Sequence, residues 1–214
     1  KKAVELYQEG FIKIKNIKED FKLTEKQAIQ KEWAKSGDCN IINEKIKEFL
    51  ETLKYPLYYL DFESYSTVIP KFDGLKPYQQ VPFQFSLHIV NKKGGKPKHI
   101  SFLADGRDDP RQDFMQALKD NLGDKGSIIV YNASFEKGVL SECKECFPVF
   151  DGWCNEILSR IIDLLHPFRN FHYYHPVQKG SASIKSVLPA FNKDVKYEDL
   201  VITNGDDASL SYLK

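Results

Sequence analysis

The order in which strand-like and helix-like segments follow one another constrains this chain most. Three runs with strand character, Leu57–Asp61, Phe83–Val90 and His99–Leu103, come first, the second and third joined through a turn built on Gly94-Gly95. The pattern then changes. Pro110 opens an amphipathic helix carrying Phe114, Met115, Leu118 and Leu122, which Gly123 closes. Ile128–Tyr131 is a short apolar strand of the kind found at a sheet centre. Asn132 or Ser134 caps the next helix, and Ile161–Leu165 supplies a fifth strand. Ser181 or Ser183 starts a last helix that Pro189 ends or kinks. Strands linked by turns pair antiparallel, whereas strands linked through helices run parallel. The expected fold is therefore α/β: a mixed five-stranded sheet, three antiparallel strands followed by parallel ones, flanked by helices.

Composition permits such a core. Of 214 residues 42% are hydrophobic and 13% aromatic, which excludes a disordered chain. The 31 basic and 30 acidic residues leave a net charge of +1, so this is no strongly basic duplex-coating protein. No apolar run approaches membrane-spanning length and no signal-peptide pattern is present, so no membrane partner is expected. Cys39, Cys143, Cys146 and Cys154 read as free thiols suited to a reducing cytoplasm, with a partial zinc site as the weaker alternative. The chain opens Lys1-Lys2 and stops at Lys214 within a helical pattern, and so reads as an excised fragment.

Residues 1–54 read as a helical arm or linker. Thr24-x-x-Gln27 forms a capping box, and Ile41, Ile42, Ile46, Phe49, Leu50 and Leu53 form an apolar stripe. Residues 55–214 read as the catalytic-type domain.

The chemistry concentrates at Asp61-Phe62-Glu63-Ser64, directly after the apolar run Leu57-Tyr58-Tyr59-Leu60. Strand side chains alternate, so Asp61 and Glu63 share a face. Two carboxylates held together repel, and each raises the other's pKa unless a cation lies between them. Hard oxygen ligands of this kind suit Mg²⁺ or Mn²⁺. A second acid follows the fourth strand, in Asn132-Ala133-Ser134-Phe135-Glu136, with Glu136 in the first turn of the next helix. If strand four lies beside strand one, Glu136 meets Asp61 and Glu63 at one sheet edge. A plain helix-dipole role for Glu136 is the alternative.

This strand order is the ribonuclease-H-like arrangement, and Asp-x-Glu with Asn-x-x-Phe-acidic resembles the first two motifs of the DEDD 3′–5′ exonucleases. Tyr55-Pro56-Leu57, Pro77-Tyr78-Gln79-Gln80-Val81-Pro82-Phe83-Gln84, Asp108-Asp109-Pro110-Arg111, Val130-Tyr131-Asn132 and Ser183-Ile184-Lys185 more closely resemble an uncharacterised bacterial domain-of-unknown-function family. That family often lies C-terminal to a RecB-like nuclease region. The resemblance runs from about Tyr55 to the C-terminus. It implies a metal-dependent 3′–5′ exonuclease acting on single-stranded DNA or RNA ends by a two-metal mechanism, with a RecB-like domain as a neighbour. It further implies Asp61, Glu63 and Glu136 as catalytic metal ligands for two Mg²⁺ or Mn²⁺ ions.

Two departures qualify the resemblance. Glu136 stands where the family pattern has Asp. The last motif, Tyr-x-x-x-Asp, has no counterpart before Lys214, so the fragment is expected to bind metal weakly and hydrolyse poorly. Asp163 is a further candidate metal ligand.

Asn132, Tyr65, Tyr78, Gln79, Ser183 and Lys185 are candidate substrate-binding residues. The aromatics would stack a terminal base, and the helix start at Ser183 with Lys185 would take a phosphate. Loop packing and ordinary capping are the competing roles. Phe168–His175 reads as an aromatic–His loop packed over the site. The rival function is a non-catalytic nucleic-acid or partner-binding module beside a RecB-like nuclease; an adaptor that binds only protein is a third.

Overall fold

A computed structural model describes residues 2–192 and 204–214. In chain order the elements are α1 (Lys2–Gln8), α2 (Glu25–Ser36), β1 (Asn40–Ile41), α3 (Asn43–Glu51), β2 (Leu57–Tyr65), β3 (Val81–Val90), β4 (Lys98–Leu103) and α4 (Arg111–Asn121). There follow β5 (Ser127–Val130), α5 (Ser134–Cys146), α6 (Asp151–Arg160), β6 (Ile161–Asp163), α7 (Leu165–Arg169), β7 (Tyr173–Tyr174), α8 (Ile184–Phe191) and α9 (Gly205–Tyr212).

These elements divide into two compact units whose segments interleave along the chain. Among the described residues, one unit holds 2–51 with 165–192, and the other holds 52–164 with 204–214. The sequence boundary near residue 54 therefore marks only one of the crossings. The expected domain of residues 55–214 gives up 165–192, which completes the N-terminal helices.

The larger unit is built on the expected five-stranded mixed sheet, in the order β4-β3-β2-β5-β6. β2 pairs antiparallel with β3 and parallel with β5; β3–β4 is antiparallel and β5–β6 parallel. The first strand of the sheet is thus central. Alternation makes the sheet two-faced. Tyr58, Leu60 and Phe62 of β2 enter the core with Phe85, Leu87, Ile128 and the inner residues of α4, α5 and α6. Phe114 is the hub, meeting Phe62, Phe85 and Phe102 edge-on at 5.0, 5.6 and 5.9 Å between ring centres. Such contacts are a favoured aromatic geometry. At the entry to β5 Gly126 has φ of +93°, and a Cβ there would collide with the Pro56 carbonyl oxygen, so only glycine fits.

In the smaller unit the Thr24–Gln27 capping box forms as expected and starts α2. β1 and β7 make a two-stranded antiparallel sheet that the sequence pattern did not announce. Ile41 lies in β1 and is 48% exposed, so the apolar stripe assigned to one helix is split between a strand and α3. The supposed loop 168–175 is the end of α7 and strand β7, whose Tyr173 stacks on Phe191 of α8 at 4.6 Å. Pro189 lies inside α8, which runs two residues beyond it to Phe191. The fifth strand stops at Asp163, and Leu165 begins α7.

Candidate metal centre at the carboxyl ends of the central strands

β2 and β5 run parallel with Tyr59 beside Ile129, and β5 and β6 with Val130 beside Asp163. β5 and β6 therefore end side by side, one residue past the Tyr59–Ile129 pair, while β2 runs on to Tyr65 and carries Asp61 and Glu63 on the stretch beyond them. Asp61 and Glu63 share the face of β2 away from the core, and a register shift follows immediately between Glu63 and Ser64. Across β3, Ser86 pairs with Asp61 and Gln84 with Glu63. These four residues and Ala208 of α9 line a pocket of about 220 Å³.

Glu136 sits in the first turn of α5. The expected side-chain cap is not made: Ala133 is the N-cap residue, while Asn132 adopts φ of +76° and accepts a hydrogen bond from Ser134 Oγ. The Asn132 N–H donates to Asp163 Oδ1 at 2.9 Å, tying the end of β5 to the end of β6. This sharp turn sends Glu136 inward, where it is 2% exposed and its Oε2 has no hydrogen-bond partner.

The electrostatics join these groups. Burial pushes the Glu136 carboxyl up to about 7; its own backbone N–H opposes the shift, and the charges of Asp61 and Asp163 add to it. Asp61 is open to solvent, yet the surrounding walls remove enough hydration to raise its pKa, against a backbone N–H from Phe62. Glu63 is raised by burial and then by Asp61. Glu136, at the start of α5, thus feels both Asp61 of β2 and Asp163 of β6. Among the described residues, no group of three or more His, Cys, Asp or Glu side chains is already placed to hold a metal ion.

A second pocket, about 600 Å³, opens beside the first, with Glu63, Ser64, Gln80, Phe135, Asp206 and Leu210 among its walls. Its far wall is α9, capped by the Asn204 side chain, which accepts from the Asp207 N–H. Ser209 Oγ donates to the Ser64 carbonyl at 2.8 Å, and a Cβ at Gly205 would lie 3.3 Å from Glu63 Oε2. The helix backbone therefore passes close over the Glu63 carboxylate. Asp206, Ala208, Gln84 and Ser86 were absent from the residues expected at the site. Asn204 followed by two acids is a helix-start signal that marks α9, and period two along β3 marks Gln84 and Ser86.

The candidate substrate residues are dispersed. Tyr65 is 3% exposed and packs with Phe83 and Tyr212, so it is core and not a platform for a base. Tyr78, with φ of +62°, projects into solvent at 66% exposure. Gln79 accepts from the Lys76 N–H and lies 3.8 Å from Cys146 Sγ. Asn132 holds the β5 turn. Ser183 and Lys185 belong to the smaller unit, where Ser183 precedes α8 without a side-chain cap. The four cysteines are free thiols.

Residues 58–183 match the family described as Domain of unknown function (DUF2779), and the chain belongs to that family. It is also 28% identical over 184 residues to the uncharacterized protein MG366 homolog of Mycoplasma pneumoniae. That alignment covers 78% of this chain and 28% of the relative, so the chain spans little more than a quarter of that relative's length. No solved structure matches. No helix among the described residues is long and apolar enough to cross a membrane.

Proposed function

We propose that the larger unit is a metal-dependent nuclease domain that hydrolyses phosphodiester bonds at single-stranded DNA or RNA ends, in the 3′–5′ direction. The observation that carries the reading is Glu136: a buried carboxyl with an unpartnered oxygen, its pKa raised chiefly by burial and further by the charges of Asp61 and Asp163. A buried carboxylate beside two like charges is costly unless a cation compensates it. The donor set suits a hard divalent ion, since every nearby acid offers oxygen alone. Asp61, Glu63 and Glu136 would hold Mg²⁺ or Mn²⁺, with Asp163 as a further candidate. When bound, such ions supply an activated water and charge stabilisation for a phosphoryl oxygen.

The chain's own residues set up the remainder. Asn132 fixes the turn that aims Glu136, and Asp163 anchors that turn. Gln84 and Ser86 provide neutral hydrogen-bonding walls beside Asp61 and Glu63. The resemblance to DEDD exonucleases supports this reading, as does the central position of the strand bearing Asp61. A RecB-like neighbour and a cytoplasmic setting belong to the same proposal.

The test is Mn²⁺-dependent degradation of 5′-labelled single-stranded DNA and RNA by the full-length protein and by residues 1–214. A stepwise ladder that Asp61→Asn reduces by at least about a hundredfold is expected from the full-length protein. Loss of that ladder in wild type, with single strands still bound, would leave the binding-module alternative standing.

A further inference from the structure

The face of the sheet opposite the core is not finished like an ordinary solvent face. Residues directly opposite one another across antiparallel strands share a face, and three rows on this face span all three strands. Glu63, Gln84 and Leu103 form one row; Asp61, Ser86 and Ser101 the next; Tyr59, His88 and His99 the third. The third row places three planar rings on three adjacent strands, spaced by roughly 4.8 Å. His88 and His99 stack at 4.3 Å between ring centres, and Tyr59 is 39% exposed. His99 Nε2 is 3.0 Å from Ser86 Oγ, which fixes the ring and links it to the residue facing Asp61. Rows on one face lie roughly 7 Å apart, so the rings adjoin the acidic row directly.

Beyond the rings, the β3–β4 turn reads Asn91-Lys92-Lys93-Gly94-Gly95-Lys96-Pro97, three lysines and no acid. All three lysines are exposed, and none forms an ion pair among the described residues. Lys98 belongs to the opposite face. From His88 to Lys92 is four residues, the last two beyond the end of β3, so the two side chains are at most roughly 14 Å apart along the chain. The face therefore runs in one direction from cations, past the Leu57–Val90 pair, through flat rings, to the carboxylates. Unpaired cations attract phosphates and exposed rings stack bases, the combination by which proteins hold single strands without reading their sequence. A membrane headgroup would use the lysines but not the rings.

We infer that the open face of β2, β3 and β4 is a track for single-stranded nucleic acid, with Tyr59, His88 and His99 stacking bases and Lys92, Lys93 and Lys96 holding phosphates. This deepens the nuclease reading and rests on it only for the direction of travel toward Asp61. The test is fluorescence anisotropy of labelled oligo(dT) and oligo(rU) with the full-length protein in EDTA, where binding is read without turnover. Replacing Lys92, Lys93 and Lys96 with Ala is expected to reduce the magnitude of the log K against log salt slope by about 2. Tyr59→Ala and His99→Ala are each expected to weaken binding about tenfold with little change in that slope. Unchanged binding in all these variants, or no binding by wild type, overturns the track. All these side chains are surface residues, and far-UV circular dichroism checks that each variant folds. Asp61→Asn separates the two claims. If it abolishes turnover while the track variants bind normally, the nuclease reading stands and the track falls. If wild type binds through the track and never cleaves, the track stands alone.

Discussion

Glu136 sets the balance at the scale of single residues. Its folded pKa of about 7 lies above the ordinary carboxyl value of 4.5, so the folded protein binds its proton more tightly than the unfolded chain does. The stability this provides is fully present below pH 4.5 and is lost as pH rises through about 7. In metal-free buffer, urea unfolding is expected to show stability falling across that window by up to about 3 kcal/mol. Glu136→Gln should flatten the fall, with Asp61 of β2 and Asp163 of β6 the charges that face it. An unchanged pH profile in the variant would remove Glu136 as its source. The thiols give a second residue-scale expectation. Burial pushes Cys143 up to about 12 and Cys154 to about 11, and both are 1% exposed or less. Native alkylation near pH 8 should modify Cys39 and Cys146 well before these two, and mass spectrometry reads the order. The carboxylates were legible because period two and a helix's first turn are local rules. Tyr65 was not legible: an aromatic after an acidic pair looks the same whether it awaits a base or, as here, a helix more than a hundred residues later.

At the scale of elements, alternation marked β2 and β3, a short wholly buried run marked β5, and turn chemistry set off β4. They failed where a strand is only two residues long, as in β1 and β7, because no period can be read from so short a segment. The cap of α5 failed differently. Asn132 is committed to a left-handed turn and a bond to Asp163, so it positions the helix without capping it. Phe114 is where α4 meets the sheet, and it is fully buried against three other rings. Phe114→Ala is expected to cost about 3–5 kcal/mol, read as a shift in urea midpoint with the m-value unchanged. The seating of α9 depends on Tyr212, stacked on Phe83 at 4.1 Å, and on Ser209. Tyr212→Ala should raise amide exchange in α9 while leaving β2 and β3 protected. Equal exchange in α9 would show that the stack does not hold the helix.

At the scale of the whole molecule, the two units each draw on distant parts of the chain, and this was hidden because composition changes near Tyr55 but not near Leu165. Removing residues 1–54 should therefore expose residues 165–192 to protease while 55–164 remains resistant. A cut product stable through residue 192 would argue against the shared unit. The sheet was predictable because strand order follows from which connections are turns and which are helices. The acidic edge follows in turn from two parallel strands ending together. The claim that joins all three scales is that this edge holds a divalent cation. Mn²⁺ titration of the full-length protein by electron paramagnetic resonance tests it most directly. Saturable binding in wild type, lost in both Asp61→Asn and Glu136→Gln, is the expected result. Equal Mn²⁺ binding in all three proteins, or none in wild type, would contradict it.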